Sequence, residues 1–275
     1  MWQRVVDALG VAVRVRTDDE TVAALVTGVL RSYADTPRDP ALDYAIVRAS
    51  ESAGEPRLVR DGVSLFTADR AIDLVPAFEL DLYARLVALA EGVPLHAGAV
   101  VDPRGQAVIF AGRSGAGKST LMRTLLARGL SYASEEYVAL VGHQRCRGLA
   151  RALNIEDPTI AIPEGYVSDD YVLPHGRFRM FHPPERVIWR GDARALAVFA
   201  IDHGATAPDT AVRLSDGEAL VALWPTMFRH APDALAALGD ALAGIPLYRL
   251  HTRTPAAAVA QVLTIARELG FDDLA

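Results

Sequence analysis

One stretch limits the folds open to this chain more than any other. Ala107-Val108-Ile109-Phe110-Ala111 is an unbroken apolar run, and Gly112-Arg113-Ser114-Gly115-Ala116-Gly117-Lys118-Ser119 follows it directly. Leu121, Met122, Leu125 and Leu126 then recur at helical spacing until Arg128-Gly129 supplies a basic last turn and a glycine stop. A run apolar on both faces predicts a buried strand of an α/β sheet, and the periodic stretch predicts a helix packed on that sheet. The octapeptide between them fits G-x-x-x-x-G-K-[ST], the pattern that cradles phosphate between a strand and a helix. Its glycines free backbone N–H groups to turn inward, and the helix N-terminus adds partial positive charge. Lys118 is then expected on the β- and γ-phosphate oxygens of a nucleoside triphosphate and the Ser119 hydroxyl on Mg²⁺. The full binding set is Gly112, Arg113, Ser114, Gly115, Ala116, Gly117, Lys118, Ser119 and the adjacent Thr120.

Composition sharpens the point. Of 28 basic residues, Lys118 is the one lysine and the rest are arginine. The arginine and alanine richness is what a GC-rich genome gives, and chance would put the lone lysine at a chosen basic position about once in 28. Its survival marks a place for a compact ammonium on a slim stem. Hydrophobic residues at 51% and charged residues at 23% are globular values for 275 residues. A net charge of −6 and a pI near 5.6 argue against a main role in coating nucleic acid. A single cysteine, Cys146, excludes an internal disulfide framework. No stretch reaches the ~18 apolar residues of a membrane span, and the first residues hold no long apolar region. The expectation is a cytoplasmic protein with neither membrane nor nucleic-acid partner.

Three neighbouring features narrow the class. Glu135-Glu136 lies 17 residues beyond Lys118, in the apolar-flanked stretch Tyr132–Leu140, which reads as the next strand and would bring carboxylates near the metal and γ-phosphate. No Leu-Ser-Gly-Gly signature of transporter ATPases occurs, and the Asn/Thr-Lys-x-Asp guanine reader of GTPases needs a second lysine that the chain lacks. Upstream, Leu95–Val101 and the turn Asp102-Pro103-Arg104-Gly105 form a hairpin with the buried strand.

Taken together, His96, Asp102, Gly105, Gly112 to Ser119, Arg128-Gly129 and the acidic pair resemble the HPr kinase/phosphorylase group of the phosphoenolpyruvate carboxykinase-like P-loop fold. The close resemblance covers residues 94 to 141. It implies ATP and Mg²⁺ as cofactors, Glu135 as general base and Glu136 as metal ligand. His96 would line the site, as a polar contact to substrate or phosphate or as a hydrogen-bonded core histidine. The family's Asp-Asp is Glu-Glu here, one methylene longer on each side chain, and its downstream arginine-rich signature is not recognisable. The resemblance therefore points to the smaller HPr-kinase-like kinases of bacterial gene clusters, some of which phosphorylate peptides.

The fold expected is an α/β, P-loop core with a mixed sheet over residues 91–275, after a small α/β module over residues 1–90. In that module Val11–Arg16 reads as a strand, and Thr17-x-x-Glu20 as a capping box opening a helix. Tyr44 to Ala49 reads as a strand, Arg57 to Arg70 as a hairpin, and residues 72–91 as a helix. The module is a lid over the sheet, or else a substrate-recognition element or a contact between two copies of the chain. Residues 142–194 read as the least regular part, a long substrate-binding loop in which Asp169, Asp170, Arg177 and Arg179 are either site residues or surface charge. His143, Cys146, His175, His182 and His203 lack metal-ligand spacing. Leu196–Ile201 and Pro246–Leu250 read as strands; Leu220, Leu223, Trp224, Leu235, Leu238 and Leu242, then Val259 to Ala266, read as buried helical stripes. The function expected is γ-phosphoryl transfer to a Ser or Thr hydroxyl of a peptide or protein. A small metabolite is the alternative acceptor, and a nucleotide-dependent sensor without turnover is the alternative of another class.

Overall fold

The computed structural model describes residues 1–47, 55–113, 115–155, 164–173, 176–203 and 209–272; for residues 154–155, 169–173, 176–180 and 203 it describes the backbone alone. The chain divides into two compact units, Met1–Ala90 and Glu91–Ala275. It is a mixed α/β protein with two mixed sheets, a smaller antiparallel one and six α-helices among the described residues.

The first unit holds β1 (Trp2–Ala8), β2 (Val11–Thr17), α1 (Glu20–Val29), β3 (Ala34–Asp35), β4 (Leu42–Val47), β5 (Arg57–Arg60), β6 (Val63–Thr67) and α2 (Val75–Leu89). Its sheet runs β3-β1-β2-β4-β5-β6, and β2 and β4 are parallel because α1 carries the chain across between them. The cap of α1 is Asp19, whose Oδ1 accepts from the N–H groups of Thr21 and Val22 at 2.9 and 3.2 Å. The capping box expected at Thr17 does not form, because Thr17 is still paired to Ile46 in the sheet and its hydroxyl accepts from Asp19 N. The helix expected over 72–91 is also shorter. Pro76 has no N–H for an α-helical bond back to Ile72, so Ala71–Leu74 is a 3-10 turn and α2 starts after it.

The second unit opens with β7 (Val93–Val101), β8 (Gln106–Ala111), α3 (Lys118–Leu126), β9 (Ser131–Ser134), β10 (Tyr137–Gly142) and β11 (Arg145–Gly148). It continues through β12 (Leu153–Ile155), β13 (Val167–Leu173), β14 (Gly176–His182), β15 (Asp192–His203) and β16 (Thr210–Arg213). It closes with α4 (Asp216–Leu223), α5 (Ala234–Leu242), β17 (Leu247–Thr252) and α6 (Pro255–Glu268). The large sheet runs β11-β10-β7-β8-β15-β17-β16, with β15 parallel to both β8 and β17. One face packs on α3 and α6 through Val100, Phe110, Phe199 and Val262. The other packs on α4 and α5 through Leu95, Ile109, Leu223 and Leu238. Strands covered on both faces explain the continuous apolar runs of β7, β8 and β15.

Three further expectations are corrected. Residues 142–194 are not one irregular loop: β11 extends the large sheet, and β12, β14 and β13 form an antiparallel sheet in that order. Acidic and basic residues inside β13 and β14 obscure the strand signal, since Asp is disfavoured in strands. The residues singled out there sit on paired strands, Asp170 opposite Arg179 and Val172 opposite Arg177, with side chains outside the described residues. The stretch Tyr132–Leu140 is not one strand but two, β9 and β10, broken at the acidic pair. Among the presumed buried stripes, Leu235 is 47% exposed, lying off the Ala234-Leu238-Ala241-Leu242 face of α5, and Trp224 is 36% exposed, past the end of α4.

Candidate functional site

The glycine loop leaves the sheet where β8 ends and enters α3 at Lys118. Gly112 is buried against the neighbouring parallel strand: a Cβ there would stand 3.3 Å from Ala116 Cβ and from the backbone oxygen of Ile201 in β15. Gly117 caps α3 with φ +91°, a left-handed conformation that side chains disfavour. Between them Ala116 N donates to Arg113 O at 3.2 Å. Ser114 lies outside the described residues.

Lys118 is 6% exposed, and its Nζ donates to the carbonyls of Gly112 at 2.7 Å and Arg113 at 3.0 Å. Burial pushes this ammonium below the usual lysine range, while Glu135 and Glu136 push it back up. Both carboxylates thus act in the field of the loop lysine. Ser119 and Thr120 are half-buried on the first turn of α3, and Arg123 donates to Ser119 O and Thr120 Oγ1, each at 3.4 Å.

The acidic pair stands at the β9–β10 break. Ser134 makes that break: its Oγ accepts from the N–H groups of Glu136 at 3.3 Å and Tyr137 at 2.9 Å, a serine turn that competes with strand pairing. Glu136 is nevertheless tied to β7, its carbonyl accepting from Ala97 N at 3.2 Å. Its Oε2 also accepts from Arg151 Nη1 at 2.6 Å. His96 lies opposite Tyr137 in the β7–β10 ladder. Burial holds its imidazole below the ordinary histidine range, the nearby Lys118 adds to this, and Glu136 opposes it. His96 is therefore a partly buried imidazole whose charged form is disfavoured. Phe228 packs beside it with ring centroids 5.9 Å apart and stacks on Tyr137 at 5.7 Å; burial pushes the Tyr137 hydroxyl up to about 12.

Lys118, the Glu135-Glu136 pair and His96, drawn from three places in the sequence, thus share one electrostatic neighbourhood. Among the described residues no group of three or more His, Cys, Asp or Glu side chains gathers as a metal centre. The oxygens available near the loop, the Ser119 hydroxyl and the glutamate carboxylates, are hard donors. Alone they would hold a divalent cation only weakly, and they suit one that arrives with phosphate oxygens of its own. Two site residues escaped sequence reasoning. Arg151 is hidden by the chain's abundance of arginine, and Phe228 comes from a segment some 90 residues downstream of the acidic pair.

No protein-family model and no curated protein matches the chain. Among solved structures, the chain is similar to the Hpr(Ser) kinase/phosphatase from Coxiella burnetii. The TM-score is 0.33 at 10% identity, over 64% of this chain and 97% of that one. Among the described residues no helix is long and apolar enough to cross a membrane.

Proposed function

We propose that this protein is a kinase that uses ATP and Mg²⁺ to transfer the γ-phosphoryl group to a hydroxyl, the acceptor being Ser or Thr of a peptide or protein. The P-loop core of the phosphoenolpyruvate carboxykinase-like kind belongs to the same proposal. It is supported by the sequence β8, glycine loop, α3 beside a parallel β15 in a mixed sheet.

The observation that carries the reading is the buried Lys118 ammonium, held by two carbonyls of its own loop with both glutamates in its field. A cation buried at this cost, on a helix N-terminus, is an anion receptor whose present partners are neutral dipoles. A triphosphate offers it charged oxygens instead, and those form stronger, charge-assisted hydrogen bonds. The loop amides at the head of α3 are the remaining donors. Ser119 and Glu136 are the residues to hold Mg²⁺, which when bound neutralises charge on the phosphate oxygens. Glu135 takes the proton from the attacking hydroxyl, and His96 offers a hydrogen bond to substrate or phosphate.

Calorimetry with Mg²⁺ and ATP tests the first half: saturable binding in the wild type and none in Lys118→Ala is expected. Labelled ATP with candidate peptides tests the second. Tight binding with slow hydrolysis and no acceptor would replace the kinase by a nucleotide-dependent sensor, and transfer to a metabolite alone would change the acceptor class.

A further inference from the structure

The acidic pair has a cation of its own. Arg151 lies between β11 and β12, and its backbone is fixed: its N–H donates to Leu149 O at 2.9 Å, and its carbonyl accepts from the hydroxyl of Tyr132 at 2.9 Å. Tyr132 is fully buried, so the arginine stands on a rigid base. From there its guanidinium reaches Glu136 Oε2 at 2.6 Å, the length of a charge-assisted bond. The Arg151 side chain is 20% exposed and that of Glu136 46%. The anchor is rigid and the contact half-open, so the guanidinium can change partner by rotating its stem while the backbone stays in place.

Two consequences follow for a site read as a phosphotransfer centre, on which this inference rests. First, the carboxylate assigned to the metal is already neutralised, and a neutral pair attracts a divalent cation far less than a lone carboxylate does. Second, the Glu136 carbonyl accepts from Ala97 N at 3.2 Å, next to His96, and its carboxylate acts on Lys118, so a guanidinium bonded to Glu136 stands beside the residues assigned to the terminal phosphate. An arginine there has the planar fork that suits phosphoryl oxygens.

We propose that Arg151 is a second phosphate-directed cation, held in reserve by Glu136. In the nucleotide-free protein it neutralises Glu136 and suppresses divalent-cation binding. When a triphosphate enters, Arg151 exchanges Glu136 for the transferring phosphoryl group, and the carboxylate is released to the cation that accompanies the nucleotide. The exchange replaces one charge-assisted bond by another, and each charge keeps a partner of opposite sign, so no buried charge is stranded. Metal and nucleotide therefore bind together rather than one after the other.

The test is a titration of the full-length, nucleotide-free protein with Mn²⁺, followed by the electron paramagnetic resonance signal of the free ion. Arg151→Gln should bind Mn²⁺ about tenfold more tightly than the wild type, since the cation no longer meets a guanidinium beside its carboxylate. The gain should vanish in the Arg151→Gln, Glu136→Gln double variant. Equal or weaker Mn²⁺ binding in folded Arg151→Gln would overturn the proposal. Arg151→Lys, which keeps the charge but loses the fork, serves as the second variant. It should bind Mn²⁺ like the wild type and Mg·ATP within about threefold, while turnover falls by on the order of 10³-fold. Full turnover in Arg151→Lys would remove Arg151 from the phosphate. The Mn²⁺ comparison needs no nucleotide, so it still reads the Arg151–Glu136 coupling if the protein proves to bind no ATP, an outcome that would sink the kinase reading separately.

Discussion

Lys118 and Gly112 are bonded to each other: the ammonium of the first residue of α3 lies 2.7 Å from the carbonyl of the first residue of the loop before it. The loop therefore closes on its own cation, and a ligand must take that cation over from two backbone carbonyls. Lys118→Arg is expected to fail almost as fully as Lys118→Ala. The longer, planar guanidinium cannot occupy a slot shaped for an ammonium. A loss of Mg·ATP affinity on the order of 10²-fold for Lys118→Arg, read by calorimetry, is the expected outcome; a loss under threefold would show that charge alone suffices.

The two glutamates should separate cleanly. Glu135→Gln keeps the shape and removes the base, so Mg·ATP binding stays within a few-fold of the wild type while phosphoryl transfer drops by roughly 10²–10⁴-fold. Glu136→Gln leaves the base and weakens the hold on the cation, which raises the Mg²⁺ concentration needed for half-maximal rate. Rate measurements across a Mg²⁺ series distinguish the two. Glu135→Gln with a normal rate, or Glu136→Gln with an unchanged Mg²⁺ requirement, would reassign the roles.

What the sequence made legible here is local, and what it hid is long-range. The loop could be read because eight consecutive residues encode a strand exit, a phosphate cradle and a helix start together. The stretch around Glu135-Glu136 was legible as β-structure, but its break was not, because Ser134 creates the break through two hydrogen bonds that a hydrophobic pattern does not record. Arg151 was illegible for a compositional reason. One lysine among 28 basic residues stands out, whereas any one arginine among the others does not. β13 and β14 were missed because charged residues fall on positions where alternation would show a strand, and only cross-strand pairing brings Asp170 opposite Arg179.

His96 gives a pH signature. Its folded pKa lies below that of the unfolded chain, so between the two values the unfolded state binds more protons and stability rises with pH. The contribution is fully present above the unfolded value of about 6.5 and is lost as pH falls toward the depressed folded value. Urea unfolding midpoints of the wild type at pH 7 and pH 5 should differ by more than those of His96→Asn, which has no imidazole to titrate. An identical pH dependence in both proteins would mean that His96 is as easily protonated folded as unfolded.

Gly117 and Gly112 resist substitution for different reasons, which makes them a matched pair for separating binding from folding. At Gly117 nothing lies within 4 Å of an added Cβ, so the obstacle to Gly117→Ala is the φ of +91° itself. That strain costs about 1 kcal/mol, and relieving it would rotate the amide at the head of α3 away from the anion it should meet. At Gly112 an added Cβ meets Ala116 Cβ and the Ile201 carbonyl oxygen at 3.3 Å, so Gly112→Ala pushes the loop off β15. Gly117→Ala should therefore lower the melting temperature slightly and Mg·ATP affinity severely, and Gly117→Asn, which tolerates the left-handed region, should recover part of the affinity. Gly112→Ala should lower both together, with no rescue by Asn, whose added side chain meets the same contacts. If Gly117→Ala binds Mg·ATP as the wild type does, the amides at the head of α3 are not the groups that receive the phosphates.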